Sequence, residues 1–474
     1  MKKALMWKLL ERFGVQGVQF VLQIILARLL LPEHYGVLSI MLIFTTLANV
    51  FVQNGFNTAL IQNPDVTEED YSSVFWISLG FAGILYGVMY FIAPLIATFY
   101  KMPDIVQPFR VLSLMLIPGA LNSIQLAKVS REMDFKKIFT SNIGGILVSG
   151  IVGILLAYMG FGIWALVFQT LLNIVFACIV MLFTVKWKLR FRCNLSRIKV
   201  LLSFGWKLLV SSLLDTLYQD LSSLVIGKKY NSDTLGFYNR GKQFPQFIIN
   251  AINGSVQSVL LPAMSEKQEN KSDVKQMMRT AVMVSSYLVF PMMAGLAGVA
   301  KPLVKLLLTD KWLECVPYLQ IFCFSFAFYP IHTSNLQAIN AMGRSDIFLK
   351  LEVIKKAMAL IVLSIGVFCF DSPIAIAVTG MVTGLISCFI NAAPNKKLID
   401  YSYFEQMKDI LPSFVIALLM FVAVQTVELF HWGAIATLMM QIFFGVMLYF
   451  ALSAAFKLRP FIMLINTLKR KIEM

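Results

Sequence analysis

Apolar residues fill this chain in unbroken runs of about 20, the length that crosses a bilayer as a helix, with short polar breaks between them. The runs are continuous rather than alternating, which predicts helices and not barrel strands. Fourteen spans are expected, roughly at 10–31, 36–61, 72–99, 106–128, 138–159, 162–185, 203–229, 235–262, 280–308, 315–340, 348–370, 373–393, 409–428 and 432–456. The predicted fold class is an all-α polytopic membrane protein.

The seventh run breaks the apolar rule. Between Trp206 and Lys228 it carries Lys207, Asp215 and Asp220. At 3.6 residues per turn, Ser211, Ser212, Asp215, Thr216, Gln219, Ser222 and Ser223 share one side, with Asp220 at its edge. An ionised group at mid-membrane costs at least ~2.5 kcal/mol, so such residues face a bundle interior or a wet cavity. An Asp–Lys pair tying two helices together would explain one such residue; a whole polar stripe predicts the wall of a water-filled cavity.

The spans also repeat. A shift of 200 positions carries Gln19 onto Gln219, Arg28 onto Lys228, Glu33 onto Asp233, Gly36 onto Gly236 and Thr58 onto Ser258. A shift of 212 carries Pro118 onto Pro330, Gln125 onto Gln337, Asp134 onto Asp346 and Ala165 onto Ala377. Six helices per copy is an even number, so the copies are parallel, an arrangement transporters use to hold substrate between two halves. The expected organisation is an N-lobe over 1–195, a C-lobe over 196–400, and two further helices with a basic tail over 401–474.

Polar stripes recur at matched places. Arg12, Gln16, Gln19 and Gln23 lie on one side of the first span, and Thr46, Asn49, Gln53 and Asn57 on one side of the second. The eighth carries Arg240, Gln243, Gln246, Asn250, Asn253 and Gln257. Interhelical hydrogen bonds, worth roughly 0.6 kcal/mol each in membranes, are the plain alternative for any one amide. Four matched stripes favour a shared cavity. Amides suit hydroxyl-rich cargo, Trp206, Tyr218, Phe244 and Phe247 can stack on sugar rings, and Arg28, Lys228, Arg240 and Lys242 can meet a phosphate. Asp215 and Asp220 are candidates for proton or sodium coupling.

Composition narrows the rest. The chain is 58% hydrophobic and 14% charged, with a net charge of +16. Its basic residues gather in alternate connections, including 185–200 and 263–279, which predicts cytoplasmic N- and C-termini and removes the need for nucleic acid as a partner. The acidic loop at 62–71 also falls inside, and acidic residues weigh little in that rule. No cleavage site follows the first run, so it should remain as a span. Six scattered cysteines and three histidines offer no metal or redox cluster, and no cofactor is expected. Glu352, Lys355 and Lys356 are spaced for an internal ion pair. Pro118, Pro291 and Pro330 are expected to kink their spans, and Gly144, Gly145, Gly150 and Gly153 to pack closely.

Ala27-Arg28-Leu29-Leu30-Leu31-Pro32-Glu33-His34-Tyr35-Gly36, Gln53-Asn54-Gly55-Phe56 and Leu235-Gly236-Phe237-Tyr238-Asn239-Arg240 resemble the polysaccharide and O-antigen (Wzx-type) flippases of the multidrug/oligosaccharidyl-lipid/polysaccharide exporter superfamily. The resemblance covers most of the chain, to about residue 400. It implies two six-helix lobes in a V and a cationic cavity walled by the first, second, seventh and eighth helices. It also implies alternating access that moves an undecaprenyl-diphosphate-linked oligosaccharide across the bacterial cytoplasmic membrane. Lipid-linked oligosaccharide and membrane lipid would be the partners of a non-enzymatic monomer, alongside polysaccharide polymerase and chain-length regulator proteins. A drug/cation antiporter of the same superfamily would share the fold. A membrane polymerase or glycosyltransferase would need a larger outward loop than this chain has.

Overall fold

The computed structural model describes residues 7, 10, 14–62, 66–185, 195–430 and 432–472; the side chains of 54–59, 61–62, 195–205, 207–208 and 468–472 lie outside the description. Among the described residues every regular element is helical. The chain forms two compact units, Met1–Gly236 and Phe237–Met474.

The first unit holds α1 (Gln16–Leu29), α2 (Pro32–Gln62), α3 (Glu68–Tyr100), α4 (Val106–Ser113), α5 (Leu116–Glu132), α6 (Phe135–Tyr158), α7 (Ile163–Thr184) and α8 (Leu195–Lys229). α9 (Ser232–Glu266) begins in it and continues into the second unit. There follow α10 (Lys271–Gly298), α11 (Ala300–Leu308), α12 (Val316–Ala327), α13 (Tyr329–Ala341), α14 (Ser345–Cys369), α15 (Pro373–Ala392), α16 (Asn395–Ile399), α17 (Tyr403–Thr426), α18 (Ala434–Ala455) and α19 (Arg459–Ile472).

Eleven described segments are long and apolar enough to cross a membrane. Their outer faces carry large apolar side chains at high exposure, such as Phe183 on α7 and Phe91 on α3, 87 and 78% exposed. A soluble protein does not tolerate apolar surface on this scale, whereas a bilayer covers it. The other three expected spans are helices too. α1 has only 14 residues, α8 carries Asp215 and Asp220, and α14 carries Lys350, Glu352, Lys355 and Lys356.

Two prolines act differently from the expectation. Pro118 and Pro330 stand within the first three residues of α5 and α13, each just after a break in the chain's helical path. The first N–H groups of a helix have no intrahelical acceptor, so proline costs nothing there and starts a helix instead of bending one. Pro291 alone of the three lies inside a continuous helix, α10. The broken spans are the fourth and the tenth, each built as a short 3-10 turn, a short helix and a second helix: Pro103–Ile105 with α4 and α5, Asp310–Cys315 with α12 and α13.

Glycine sets the closest approaches. A Cβ on Gly145 would stand 2.7 Å from the Asn173 carbonyl, and one on Gly153 2.8 Å from Gln169 Cβ, so α6 lies directly on α7. A second crossing is reciprocal. A Cβ on Gly36 of α2 would stand 1.8 Å from the carbonyl oxygen of Ser232, the first residue of α9, and one on Gly236 would stand 2.2 Å from that of Pro32, the first residue of α2. Gly36 and Gly236, and likewise Pro32 and Ser232, are 200 positions apart. α8 packs along α2, with Gly227 against Ile40, so it belongs by contact to the first unit although the repeat in sequence begins near residue 200.

In the second unit, Phe290 of α10 meets Phe328 and Phe414 at ring separations of 5.7 and 5.4 Å. The last two long helices are joined to α10 by polar bonds. Arg279 Nη2 donates to Asp409 Oδ1 (2.6 Å) and Tyr449 OH to the Tyr287 carbonyl (2.8 Å), while Tyr401 OH, just before α17, supports Asp409 by donating to its Oδ2 (2.8 Å). α17 starts on a capping box in which Ser402 accepts from the Glu405 amide while the Glu405 carboxylate accepts from the Ser402 amide. α3 starts the same way on Thr67 and Asp70.

Candidate transport surface

The polar residues singled out in sequence fall into three structural situations. The first is exposed. α8 shows two different sides: Trp206, Val210, Leu214 and Leu217 are 53, 42, 57 and 42% exposed along one line, and Ser211 and Gln219 are exposed on the other, beside half-buried Asp215, Ser212 and Asp220. One helix therefore carries an exposed apolar line and an exposed polar line, with Asp215 on the polar side and Asp220 at its edge. On α9, Asn250 is exposed as well. On α1, half-buried Gln16, Gln19 and Gln23 lie on the side away from Val21 and Ile25, which line a shallow apolar groove against Ile146, Gly150 and Ile151 of α6.

The second situation is internal pairing. Gln53 Nε2 donates to Asn49 Oδ1 (2.9 Å), and both amides rest on α5 where Gly119 leaves room. Arg240 is 4% exposed; its Nη1 donates to Gln243 Oε1 (2.6 Å) and its guanidinium lies 5.1 Å from the Trp312 ring centre. A guanidinium on an indole face gains cation–π attraction, which a desolvated site strengthens. Two further amide oxygens, Gln19 Oε1 and Asn253 Oδ1, are buried without a hydrogen-bond partner among the described residues. Each such oxygen costs about 1–3 kcal/mol unless water or a ligand meets it.

The third situation is outside the description: Arg12 as a whole, and the side chains of Asn57 and Lys207. Of the candidate cations, Lys228 lies 3.9 Å from the Phe99 ring centre and donates to the Phe99 carbonyl (2.6 Å). Among the described residues no group of three His, Cys, Asp or Glu could hold a metal. At the start of α14, the Arg344 fork binds Asp346 in the first turn at 2.9 and 2.8 Å and holds its carboxyl down at about 2.

Sequence reasoning missed the most completely buried polar cluster. Asn335 Nδ2 donates to Gln406 Oε1 (2.8 Å), while its Oδ1 accepts from Asn395 Nδ2 (2.7 Å) and Gln406 Nε2 (3.1 Å). Beside it, His332 lies between Cys388 Sγ (3.3 Å) and Asn391 Nδ2 (3.1 Å). Sequence offered no signal for the cluster: only Asn335 lies in an expected span, while Asn395 and Gln406 stand in the polar connection between the spans at 373–393 and 409–428.

Comparison with known proteins gives the chain relatives. It is 26% identical over 321 residues to the succinoglycan biosynthesis transport protein ExoT of Rhizobium meliloti (strain 1021), covering 67% of this chain and 65% of that one. It is 24% identical to the teichuronic acid biosynthesis protein TuaB of Bacillus subtilis (strain 168), covering 64% and 63%. Both matches thus span a little under two thirds of the relative. The lipopolysaccharide biosynthesis protein WzxC of Escherichia coli (strain K12) is 22% identical, over 76% of this chain and 74% of its own. The fold is that of the lipid II flippase MurJ in its inward closed conformation, with a TM-score of 0.74 at 16% identity over 96% of this chain and 99% of that one. An inward-facing multidrug resistance MATE transporter of the MOP superfamily gives 0.62 at 16% identity, over 83% and 99%. A family described as polysaccharide biosynthesis protein matches residues 25–317, well over half of the sequence, and the chain belongs to that family.

Proposed function

We propose that this protein is a flippase that carries a polyprenyl-diphosphate-linked oligosaccharide, a repeat unit of a surface polysaccharide, across the bacterial cytoplasmic membrane by alternating access. The observation that carries the reading is α8, whose exposed leucine line and exposed polar line lie on different sides of one helix in a chain surrounded by lipid. A helix packed only into a dry bundle has no use for Gln219 and Ser211 at its surface, whereas a wet passage does. Family membership and the names of ExoT and WzxC support a role in polysaccharide export, and the likeness to MurJ supports a fold suited to lipid-linked cargo.

In this reading fourteen helices cross the membrane, both termini are cytoplasmic, and two parallel six-helix repeats, over 1–195 and 196–400, move against each other. The polar faces of the first, second, seventh and eighth spans receive the sugar and diphosphate through Arg12, Gln16, Gln19, Gln23, Asn49, Gln53, Asn57, Lys207, Gln219, Asn250 and Asn253. Asp215 and Asp220 carry the coupling to H+ or Na+. Arg240 and Gln243 shape the eighth helix from within its own unit. The protein works as a monomer that passes cargo to polymerase and chain-length regulator proteins, and it catalyses no bond change.

The test is reconstitution in vesicles with a fluorescent lipid-linked oligosaccharide, under an imposed pH or sodium gradient. Wild type should move the label between leaflets, and the Asp215→Asn/Asp220→Asn variant should lose the gradient dependence at equal incorporation. Gradient-driven drug efflux with no lipid movement would select the antiporter reading instead.

A further inference from the structure

The chain's last element does not behave as a tail. α18 ends at Ala455, Lys457 takes a left-handed conformation (φ 50°), and the Leu458 amide bonds back to the Ser453 carbonyl at 3.0 Å. α19 starts two residues after that left-handed turn, which turns it off the α18 axis. Its 14 residues rise about 21 Å, too short for the ~30 Å hydrocarbon layer. By the helical period Phe461, Leu464, Ile465, Leu468 and Ile472 fall within an arc of about 100°. Arg459, Asn466 and Arg470 fall opposite, with Lys469 and Lys471 at the two borders. The apolar side is partly covered by the second unit, since Phe461 lies 6.2 Å from the Phe450 ring of α18. Leu464 and Ile465 on that side are half-buried, while Ile462 and Met463, 42 and 41% exposed, fall by the same period on the basic side, where Lys457 and Arg459 are exposed.

We infer that α19 is an in-plane anchor that binds the anionic headgroups of the membrane surface. Its apolar arc is only half-buried at Phe461, Leu464 and Ile465, which leaves part of each open to acyl chains. The five basic residues from Lys457 to Lys471, with no acid among them, select a negative surface over a neutral one. Short amphipathic length, cationic borders and a sharp turn at the end of a long apolar helix fit a lipid surface and give a soluble protein partner no complementary charge pattern to prefer.

The experiment is hydrogen–deuterium exchange on the full-length protein in nanodiscs of phosphatidylcholine, with and without phosphatidylglycerol. Amides of 459–472 should exchange roughly tenfold more slowly with the anionic lipid present, as expected from several basic residues each drawn to the surface. The Lys469→Gln/Arg470→Gln/Lys471→Gln variant should lose that difference while α10 amides stay as protected as in wild type. Equal exchange of wild type in both lipids overturns the inference, as does anionic-lipid protection that survives in the variant. If the variant does not incorporate, 0.5 M salt on wild type makes the same decision: the lipid difference should shrink toward zero, and an unchanged difference refutes it.

Discussion

The reciprocal crossing of α2 and α9 makes a quantitative demand. A real Cβ stays at least 3.0 Å from backbone atoms, so the 1.8 Å position at Gly36 requires the two segments to part by about 1.2 Å, and the 2.2 Å position at Gly236 by about 0.8 Å. The obstructing atoms are the carbonyls of Ser232 and Pro32, which cannot rotate out of the way as a side-chain tip can. Overpacking of this kind costs ~1–3 kcal/mol, and the helix-propensity gain of Gly→Ala offsets ~0.5–1 kcal/mol of it. Gly36→Ala and Gly236→Ala should therefore each destabilise by roughly 1–2 kcal/mol. Because one separation makes room for both methyls, the double variant should cost about 1 kcal/mol less than the sum of the singles, a coupling typical of residues in contact. Gly80 of α3 is the control: nothing stands within 4 Å of its Cβ position, so Gly80→Ala should be neutral or stabilising. SDS-titrated unfolding of the purified protein, with apparent melting in nanodiscs as a second readout, measures all four variants. Single variants indistinguishable from Gly80→Ala, or strict additivity in the double, would refute the crossing.

Other expectations follow from the same contacts. Asn335→Leu strands the Asn395 and Gln406 amides in a fully buried place; at ~1–3 kcal/mol per unsatisfied group it should lower the unfolding midpoint more than Asn49→Leu, whose only described bond is to a half-buried neighbour. Tyr401→Phe removes one bond to Asp409 and should cost about 1 kcal/mol, while Asp409→Ala, which also leaves Arg279 without its carboxylate, should cost visibly more in the same assay. Gln219→Leu should cut lipid-linked oligosaccharide movement severalfold with the melting midpoint unchanged, because that side chain is exposed; Arg240→Ala should do the reverse, lowering the midpoint by leaving Trp312 and Gln243 without their partner.

Much of the fold was legible because a bilayer enforces a simple rule: apolar runs of span length must be helices. Close packing at Gly145 and Gly153 was readable for a similar reason, since glycine in an apolar helix has few other uses. The direction of a polar side chain was not. Gln219 and Arg240 look alike as hydrophilic residues in matched spans, yet one is exposed and the other is folded against an indole of the same unit. Only the neighbour across the helix interface separates them, and Trp312 is 72 positions away from Arg240 in sequence. The same distance hid the Asn335–Asn395–Gln406 cluster, whose members sit on three helices and follow no period. Proline failed for a local reason: its position relative to a helix start, not its presence in an apolar run, decides whether it bends or begins.

The attachment of α17 and α18 has a mechanical side. Their ties to α10 are oriented bonds inside a medium that offers no substitute donor or acceptor: the Tyr449 hydroxyl to the Tyr287 carbonyl, and the Gln425 and Gln441 amides to the Gly298 carbonyl at 3.4 and 3.5 Å. Greasy surfaces can slide past one another at little cost, but a hydroxyl withdrawn from its carbonyl in hydrocarbon has nowhere to go. These two helices are therefore ballast bolted to α10, riding along with it through any rearrangement. A chain cut before Tyr403 would lose more than two spans, because α10 would be left presenting the Tyr287 carbonyl to oil and Arg279 without its carboxylate.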